Sequence, residues 1–405
     1  MMDRKTLEYG ILKYGTPMYV YDVDQAAATV RIYRELLGDG VGLCFAMKAN
    51  PFITAQMAER LDRVEVCSMG EFCICRELNI PPEKLLISGV LKKEEDIREI
   101  LGYCGGRCTY TVESPEQFRL IVGWSDANRQ KVNIYLRLTS GNQFGMDADS
   151  IYRILKGAER WEFVSIKGIH YFSGTQKKNA GKIREELEFL DDFLQKTEAE
   201  TGHPLSELEY GPGLAVSYFE GQEDMTVCDT KEIGDALASM RWNGSVMLEM
   251  GRAFAATCGH YLTTALDVKK SNGTNYCIVD GGSHQISYDG QIRGMYRPVF
   301  RVSPERESGE VREWTVCGSL CTVNDVLIKD APVRGLQKGD VFIFDRAGAY
   351  SAMEGMALFL SHELPRVVIY SRESGWRPVR EEQQTYRWNM ERKARNNGNF
   401  TDDIK

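Results

Sequence analysis

The chain has 405 residues, 43% of them hydrophobic and 27% charged, with a formal net charge of −8 at pH 7. That length exceeds one ordinary core and calls for two domains or a domain built on a large barrel. The negative balance, with no dense basic stripe, argues against non-specific nucleic-acid binding, and no apolar run approaches the length of a membrane span.

Residues 1–15 are charged and hold no apolar core of signal-peptide length, so a cytoplasmic protein is expected. Met18–Tyr21 then reads as an early strand. Short β-branched or apolar runs follow, at Val41–Met47, Arg63–Cys67, Lys84–Ser88, Cys108–Val112, Lys131–Leu138, Val164–Phe172, Glu207–Tyr210 and Ser245–Glu249. Helical stretches lie between them, for example Ser114–Trp124 and Ala180–Thr201; in the latter, Ile183, Leu187, Leu190 and Leu194 recur at helical spacing. Eight strands, each followed by a helical stretch, fit a closed (β/α)8 TIM-type barrel over residues 25–260. Beyond Tyr261 the pattern changes to alternation without helices, as in Thr274–Val279, Glu313–Val316, Asp325–Lys329 and Asp340–Phe344. Asp280-Gly281-Gly282 and Lys338-Gly339-Asp340 punctuate it as turns. This is read as an all-β C-terminal domain over 261–380, which residues 1–24 are placed to join, with a flexible, charged tail at 381–405. The eleven cysteines come without a secretion signal, which favours reduced thiols. Neither Cys73-Ile74-Cys75 nor Cys104 with Cys108 has a zinc-like partner pair, so no metal site is expected.

The chemistry of such a barrel sits at the carboxyl ends of its strands, and the unusual polar residues fall there. Lys48 ends the first strand. Burial at a strand end lowers an ammonium pKa and frees a nucleophilic amine, able to form a Schiff base with a carbonyl substrate or with pyridoxal phosphate (PLP). A lysine snorkelling out of a strand end would look the same. Glu65, Ser68 and Glu71 follow the second strand. His170 and Phe172-Ser173-Gly174-Thr175-Gln176 close the sixth, Gly211-Pro212-Gly213 the seventh, and Glu249-Met250-Gly251-Arg252 the eighth. Glycine amides, hydroxyls and a guanidinium on late strands suit a phosphate dianion. Glu249 would either hold a pyridine nitrogen protonated or pair with Arg252.

These segments carry a resemblance. Phe45-Ala46-Met47-Lys48-Ala49-Asn50, Glu65-Val66-Cys67-Ser68-Met69-Gly70-Glu71, Phe144-Gly145-Met146-Asp147, Gly168-Ile169-His170, Gly174-Thr175-Gln176, Glu249-Met250-Gly251-Arg252, Cys317-Gly318-Ser319-Leu320-Cys321 and Gly348-Ala349-Tyr350 resemble, in order, the fold-type III PLP-dependent decarboxylases. That group contains the diaminopimelate and ornithine decarboxylases and has an alanine racemase-like fold. The resemblance implies that Lys48 carries the cofactor and later returns a proton, and that Glu249 pairs with the pyridine nitrogen. Gly213, Gly251, Arg252, Thr175 and Tyr350 would hold the phosphate, with Glu65, His170, Phe172 and Gly174 completing the cofactor site. Cys321 would reach across a homodimer interface into the partner's active site.

The departures bear on substrate. Phe172 stands where the family has a second histidine, and Pro212 removes one amide from a triple-glycine turn. Thr322 follows Cys321 where members acting on basic amino acids carry an acid, which argues against a basic diamino acid. Phe172 to Gln176 and Cys321-Thr322-x-x-Asp325 are similar to decarboxylases acting on glutamyl groups tethered to a carrier protein in aminoglycoside side-chain assembly. Arg293 and Arg297, near Tyr288 and Tyr296, are candidate substrate contacts or a solvated basic loop, and Thr322 is a third candidate contact. The expected function is PLP-dependent α-decarboxylation of an amino acid or aminoacyl group. An amino-acid racemase on the same fold and a non-catalytic PLP-binding homologue are the alternatives, and Glu249 favours decarboxylation over racemisation.

Overall fold

The chain begins with a helix, Arg4–Tyr14, and a strand, β1 (Met18–Asp22), in a computed structural model that describes residues 2–90, 92–288 and 296–391. Eight strands then close a barrel: β2 (Val41–Ala46), β3 (Arg63–Val66), β4 (Leu85–Ile87), β5 (Thr109–Val112), β6 (Val132–Leu138), β7 (Val164–Phe172), β8 (Glu207–Gly211) and β9 (Ser245–Met250). Neighbours are parallel throughout, and the ring shuts where Cys44 of β2 lies opposite Glu249 of β9. Such strands are covered on both faces, which explains why they read as continuous apolar runs. β4 is buried along its whole length, and β6 at every position but Asn133.

Several of the helices between them start where the sequence can cap them. Ser114 accepts from the Gln117 amide at the head of Pro115–Asn128, which runs one turn beyond the expected Trp124. Ala180–Thr201 keeps its expected bounds and buries Ile183, Leu187, Leu190 and Leu194 against the barrel.

The second domain is a mixed sheet. Its strands are β10 (Gly259–Ser271), β11 (Thr274–Val279), β12 (Phe300–Ser303), β13 (Val311–Cys317), β14 (Val326–Arg334), β15 (Val341–Phe344), β16 (Arg366–Ser371) and β17 (Gly375–Arg380). The order runs β14-β13-β11-β10-β1-β16-β17, and β15 pairs with both β10 and β12. β1 therefore lies inside this sheet, antiparallel to β10 and parallel to β16. The helix Arg4–Tyr14, which the sequence reading left out, packs Leu7 against Met18, Val20, Leu262 and Val368. Residues 381–391 are not a loose tail: Gln383 exchanges backbone hydrogen bonds with Leu364, and the Thr385 hydroxyl donates to the His362 carbonyl at 2.7 Å. Residues 392–405 lie outside the described residues.

Two hydrogen bonds tie the sheet domain to the barrel rim beside Lys48. The Tyr350 amide donates to the Ala49 carbonyl at 2.7 Å, and Asn50 Nδ2 donates to the Gly348 carbonyl at 2.8 Å. All eleven cysteines are free thiols. Among the described residues, no helix is long and apolar enough to cross a membrane.

Candidate active site

Lys48 occupies a single helical turn, Met47–Ala49, directly after β2. Its Nζ donates to Glu65 Oε2 at 2.5 Å and to Glu249 Oε1 at 3.4 Å, and Cys67 Sγ is 3.6 Å away. Cys67 in turn donates to Glu65 Oε1 at 2.8 Å. On the far side of Glu249, Oε2 lies 3.1 Å from His170 Nε2 of β7. Glu65, His170 and Glu249 are buried, so electrostatic interactions within the cluster act through little water.

This cluster corrects one expectation. Burial does push the Lys48 amine down, but Glu65 and Glu249 outweigh it and hold the ammonium well above the ordinary lysine range. Burial alone would raise the Glu249 carboxyl; Lys48 and His170 reverse this and hold it well below the usual carboxylate range. The Cys67 thiol, by contrast, is pushed up by burial and by Glu65, which keeps it a neutral donor.

The cluster opens into a cavity of about 580 Å³, lined also by Phe172, Thr175, Gly213, Gly251, Arg252 and Tyr350. Gly213 has φ +63°, and a Cβ there would overlap the Gly174 carbonyl, so this turn admits only glycine. Arg252 begins the short helix after β9 and donates from Nη1 to the Tyr218 hydroxyl at 2.6 Å. Its guanidinium also lies 4.6 Å from the Tyr350 ring. Tyr350 itself adopts φ +65°, an unfavourable conformation for a bulky residue, held by its bond to Ala49.

A family model described as pyridoxal-dependent decarboxylase, C-terminal sheet domain, matches residues 18–348. The chain belongs to the pyridoxal-dependent decarboxylases. Among curated relatives of this decarboxylase, the L-glutamyl-[BtrI acyl-carrier protein] decarboxylase of Niallia circulans is 26% identical over 394 residues, covering 91% of each chain. Diaminopimelate decarboxylase of Methanocaldococcus jannaschii is 25% identical, over 89% of this chain and 87% of that one. Its crystal structure in complex with L-lysine superposes with a TM-score of 0.81 at 23% identity, covering 93% of this chain and 92% of the other. Lysine/ornithine decarboxylase from Vibrio vulnificus, complexed with cadaverine, gives 0.78 at 22% identity, with 91% and 96% covered. The fold is thus that of the alanine racemase-like decarboxylases, and the cofactor is PLP. The cavity suits it, with an amine for the aldehyde, a buried carboxylate, and a glycine-lined rim with hydroxyls and a guanidinium.

Ten of the expected site residues of the decarboxylase line this one cavity: Lys48, Glu65, His170, Phe172, Thr175, Gly213, Glu249, Gly251, Arg252 and Tyr350. Gly174 contributes through its carbonyl, packed on Gly213. Ser68 and Glu71 have a local role instead: Ser68 caps the helix Met69–Glu77 and Glu71 accepts from the Cys67 amide at 2.6 Å. Ser173 gives its hydroxyl to Glu186. Arg297 is not brought to the cavity; it donates to Glu220 at 3.1 Å and to the Asp330 carbonyl at 2.9 Å. Cys321 is exposed, and neither it nor Thr322 lines this cavity. Arg293 lies outside the described residues.

The sequence reading passed over Arg137, Glu113 and Glu354. Arg137 lines the cavity, is bonded to buried Glu113 at 3.0 Å and sits 4.8 Å from the Phe144 ring. Its position next to the end of β6 was the available signal. Glu354, from the sheet domain, lines the same cavity and had no signal in local pattern.

Proposed function

We propose that this decarboxylase removes the α-carboxylate of an aminoacyl group carried by a carrier protein, and does so as a homodimer. The reaction rests on one observation above all: an amine held between two buried carboxylates, at 2.5 and 3.4 Å, in the wall of a glycine-lined cavity. PLP, when bound, supplies the sink for the electron pair left on Cα as CO2 departs. Lys48 would hold the cofactor through its amine and is placed to return a proton to Cα. Glu249, kept anionic by Lys48 and His170, would hold the pyridine nitrogen protonated. His170 fixes the direction of that carboxylate through the 3.1 Å contact. Thr175, Gly213, Gly251, Arg252 and the Tyr350 hydroxyl would hold the phosphate, and Phe172 would offer an aromatic surface to the ring. Cys321 of the other subunit is a second proton donor.

One feature of the chain favours a substrate without a distal ammonium. Thr322 offers no carboxylate to a distal ammonium. The relative from Niallia circulans acts, by its name, on such a carrier-bound glutamyl group.

Two observations support the dimer. Cys321 is exposed and outside its own chain's cavity. Met356, Leu358, Phe359, Leu360, Trp388 and Met390 are all exposed, and Asn389 binds the Leu358 carbonyl at 2.8 Å, which joins the two segments into one apolar face beside Glu354.

The test is CO2 release by PLP-loaded protein offered a glutamyl thioester on an acyl carrier protein, free glutamate, lysine, ornithine and diaminopimelate, with Lys48→Ala as blank. Turnover on the thioester alone is expected. Turnover on a free basic amino acid would overturn the substrate assignment. Silence on every substrate, with the lysine-bound PLP absorbance intact, would overturn the reaction for this chain.

A further inference from the structure

Asp325 is nearly fully buried, yet among the described residues no lysine or arginine pairs with it. Its carboxylate is satisfied by backbone alone. Oδ1 accepts from the Ser283 amide at 2.7 Å and Oδ2 from the Leu320 amide at 2.8 Å. Its own backbone closes the same loop: the Asp325 carbonyl accepts from Gly318 at 3.0 Å, and its amide donates to Thr322 at 3.1 Å. Ser319 adds a bond to the Gly281 carbonyl at 2.8 Å.

The notch that receives the carboxylate is made by two glycines. A Cβ on Gly282 would come within 2.7 Å of Oδ2, and one on Gly318 would overlap it. One side chain thus clamps the base of the loop 318–325 to the turn after β11. The apex of that loop is free: Cys321 is exposed, and Val323 is 93% exposed. A buried carboxylate without a cation is costly, and here it fixes a loop whose tip is exposed.

We infer that Asp325 is a positioning residue for Cys321, clamping the loop so that the thiol is presented to the cavity of a second copy. This rests on the dimer reading, in which Cys321 delivers a proton there. A displacement of about 1 Å in a reacting group costs on the order of 100-fold in rate. Loss of the clamp is therefore expected to lower kcat by that factor while leaving KM and cofactor binding nearly unchanged.

The experiment uses full-length, PLP-loaded protein carrying Cys228→Ser, which removes the other exposed thiol. Cys321 is labelled with a maleimide with and without PLP, and kcat is measured on the substrate found active. PLP should protect Cys321 in the parent, and Asp325→Asn should abolish that protection while keeping the lysine-bound PLP absorbance. Asp325→Asn should also add nothing to the defect of Cys321→Ala when the two are combined. If Asp325→Asn does not fold, Gly282→Ala displaces the same carboxylate from the other side of its notch and carries the same expectations. Retained protection in the variant, or fully additive defects, would overturn the positioning role. Absence of protection in the parent would overturn the dimer reading of Cys321, and this role with it.

Discussion

A lysine caught between two carboxylates cannot attack an aldehyde until one of them takes its proton, so Lys48 and its neighbours are best understood as one proton-sharing unit. That Lys48 ends a strand is written in seven consecutive residues. That its ammonium is held high is not, because Glu65 and Glu249 stand 17 and 201 residues away and meet it only when the barrel closes. Glu249→Gln removes the carboxylate proposed to keep the pyridine nitrogen of the cofactor protonated. We expect kcat to fall about 10²- to 10³-fold with the PLP absorbance retained, as steady-state kinetics and a spectrum will show. Below the cavity, Glu209 of β8 is fully buried; burial pushes its carboxyl from 4.5 up to about 8, with Arg63 opposing and Glu249 adding to the rise. Its folded value lies above its unfolded one. The stability it confers is therefore complete below pH 4.5 and is lost as pH rises towards about 8. His284 works from the other side: burial lowers its imidazole from 6.5 to about 4, so its contribution holds above pH 6.5 and is lost as pH falls towards 4. Glu209→Gln is expected to flatten the decline of Tm between pH 5 and 8, measured by thermal melts, while leaving the acid limb in place.

At the scale of elements, the barrel was legible because parallel strands buried on both faces must be apolar along their length, and helices such as Met69–Glu77, Pro115–Asn128 and Ala180–Thr201 carry their own caps. The sheet domain was legible as a kind of structure but not as a topology. Nothing local in Met18–Asp22 says that its neighbours will be Gly259–Ser271 and Arg366–Ser371. The helix Arg4–Tyr14 left one overlooked sign, Asp3, whose carboxylate caps the Thr6 amide at 3.0 Å. Turns at the rim were readable as glycines, but the reason for each glycine was not. Gly213 needs a left-handed backbone and also has the Gly174 carbonyl where a side chain would go. Gly213→Ala meets a backbone penalty of about 1–3 kcal/mol in addition to that overlap. We expect a folded protein whose affinity for PLP, measured by absorbance titration, falls at least ~10-fold.

For the molecule as a whole, Met356, Leu360 and Trp388 are large apolar residues left exposed, and Met356 follows closely on Glu354, which helps to line the cavity. A charge placed there should separate the proposed subunits. Leu360→Asp is expected to sediment as a monomer and to lose activity, whereas a dilute, fully active monomer of the parent would exclude a shared site. Mixing Lys48→Ala with Cys321→Ala supplies the complementary measurement. Two-fold symmetry gives each mixed dimer one intact site, so about a quarter of parental activity should return. The placement of β1 has a last consequence, for how the chain comes off the ribosome. Its partner strands are made only after the whole barrel has been translated, so Met18–Asp22 emerges ahead of the barrel and waits through the synthesis of more than two hundred residues before either edge is covered. The barrel can close meanwhile, but the second domain cannot be expressed as a C-terminal fragment beginning at β10. Such a piece would lack a central strand, and supplying residues 1–24 in trans, or fusing them after β17, is what its recovery would require.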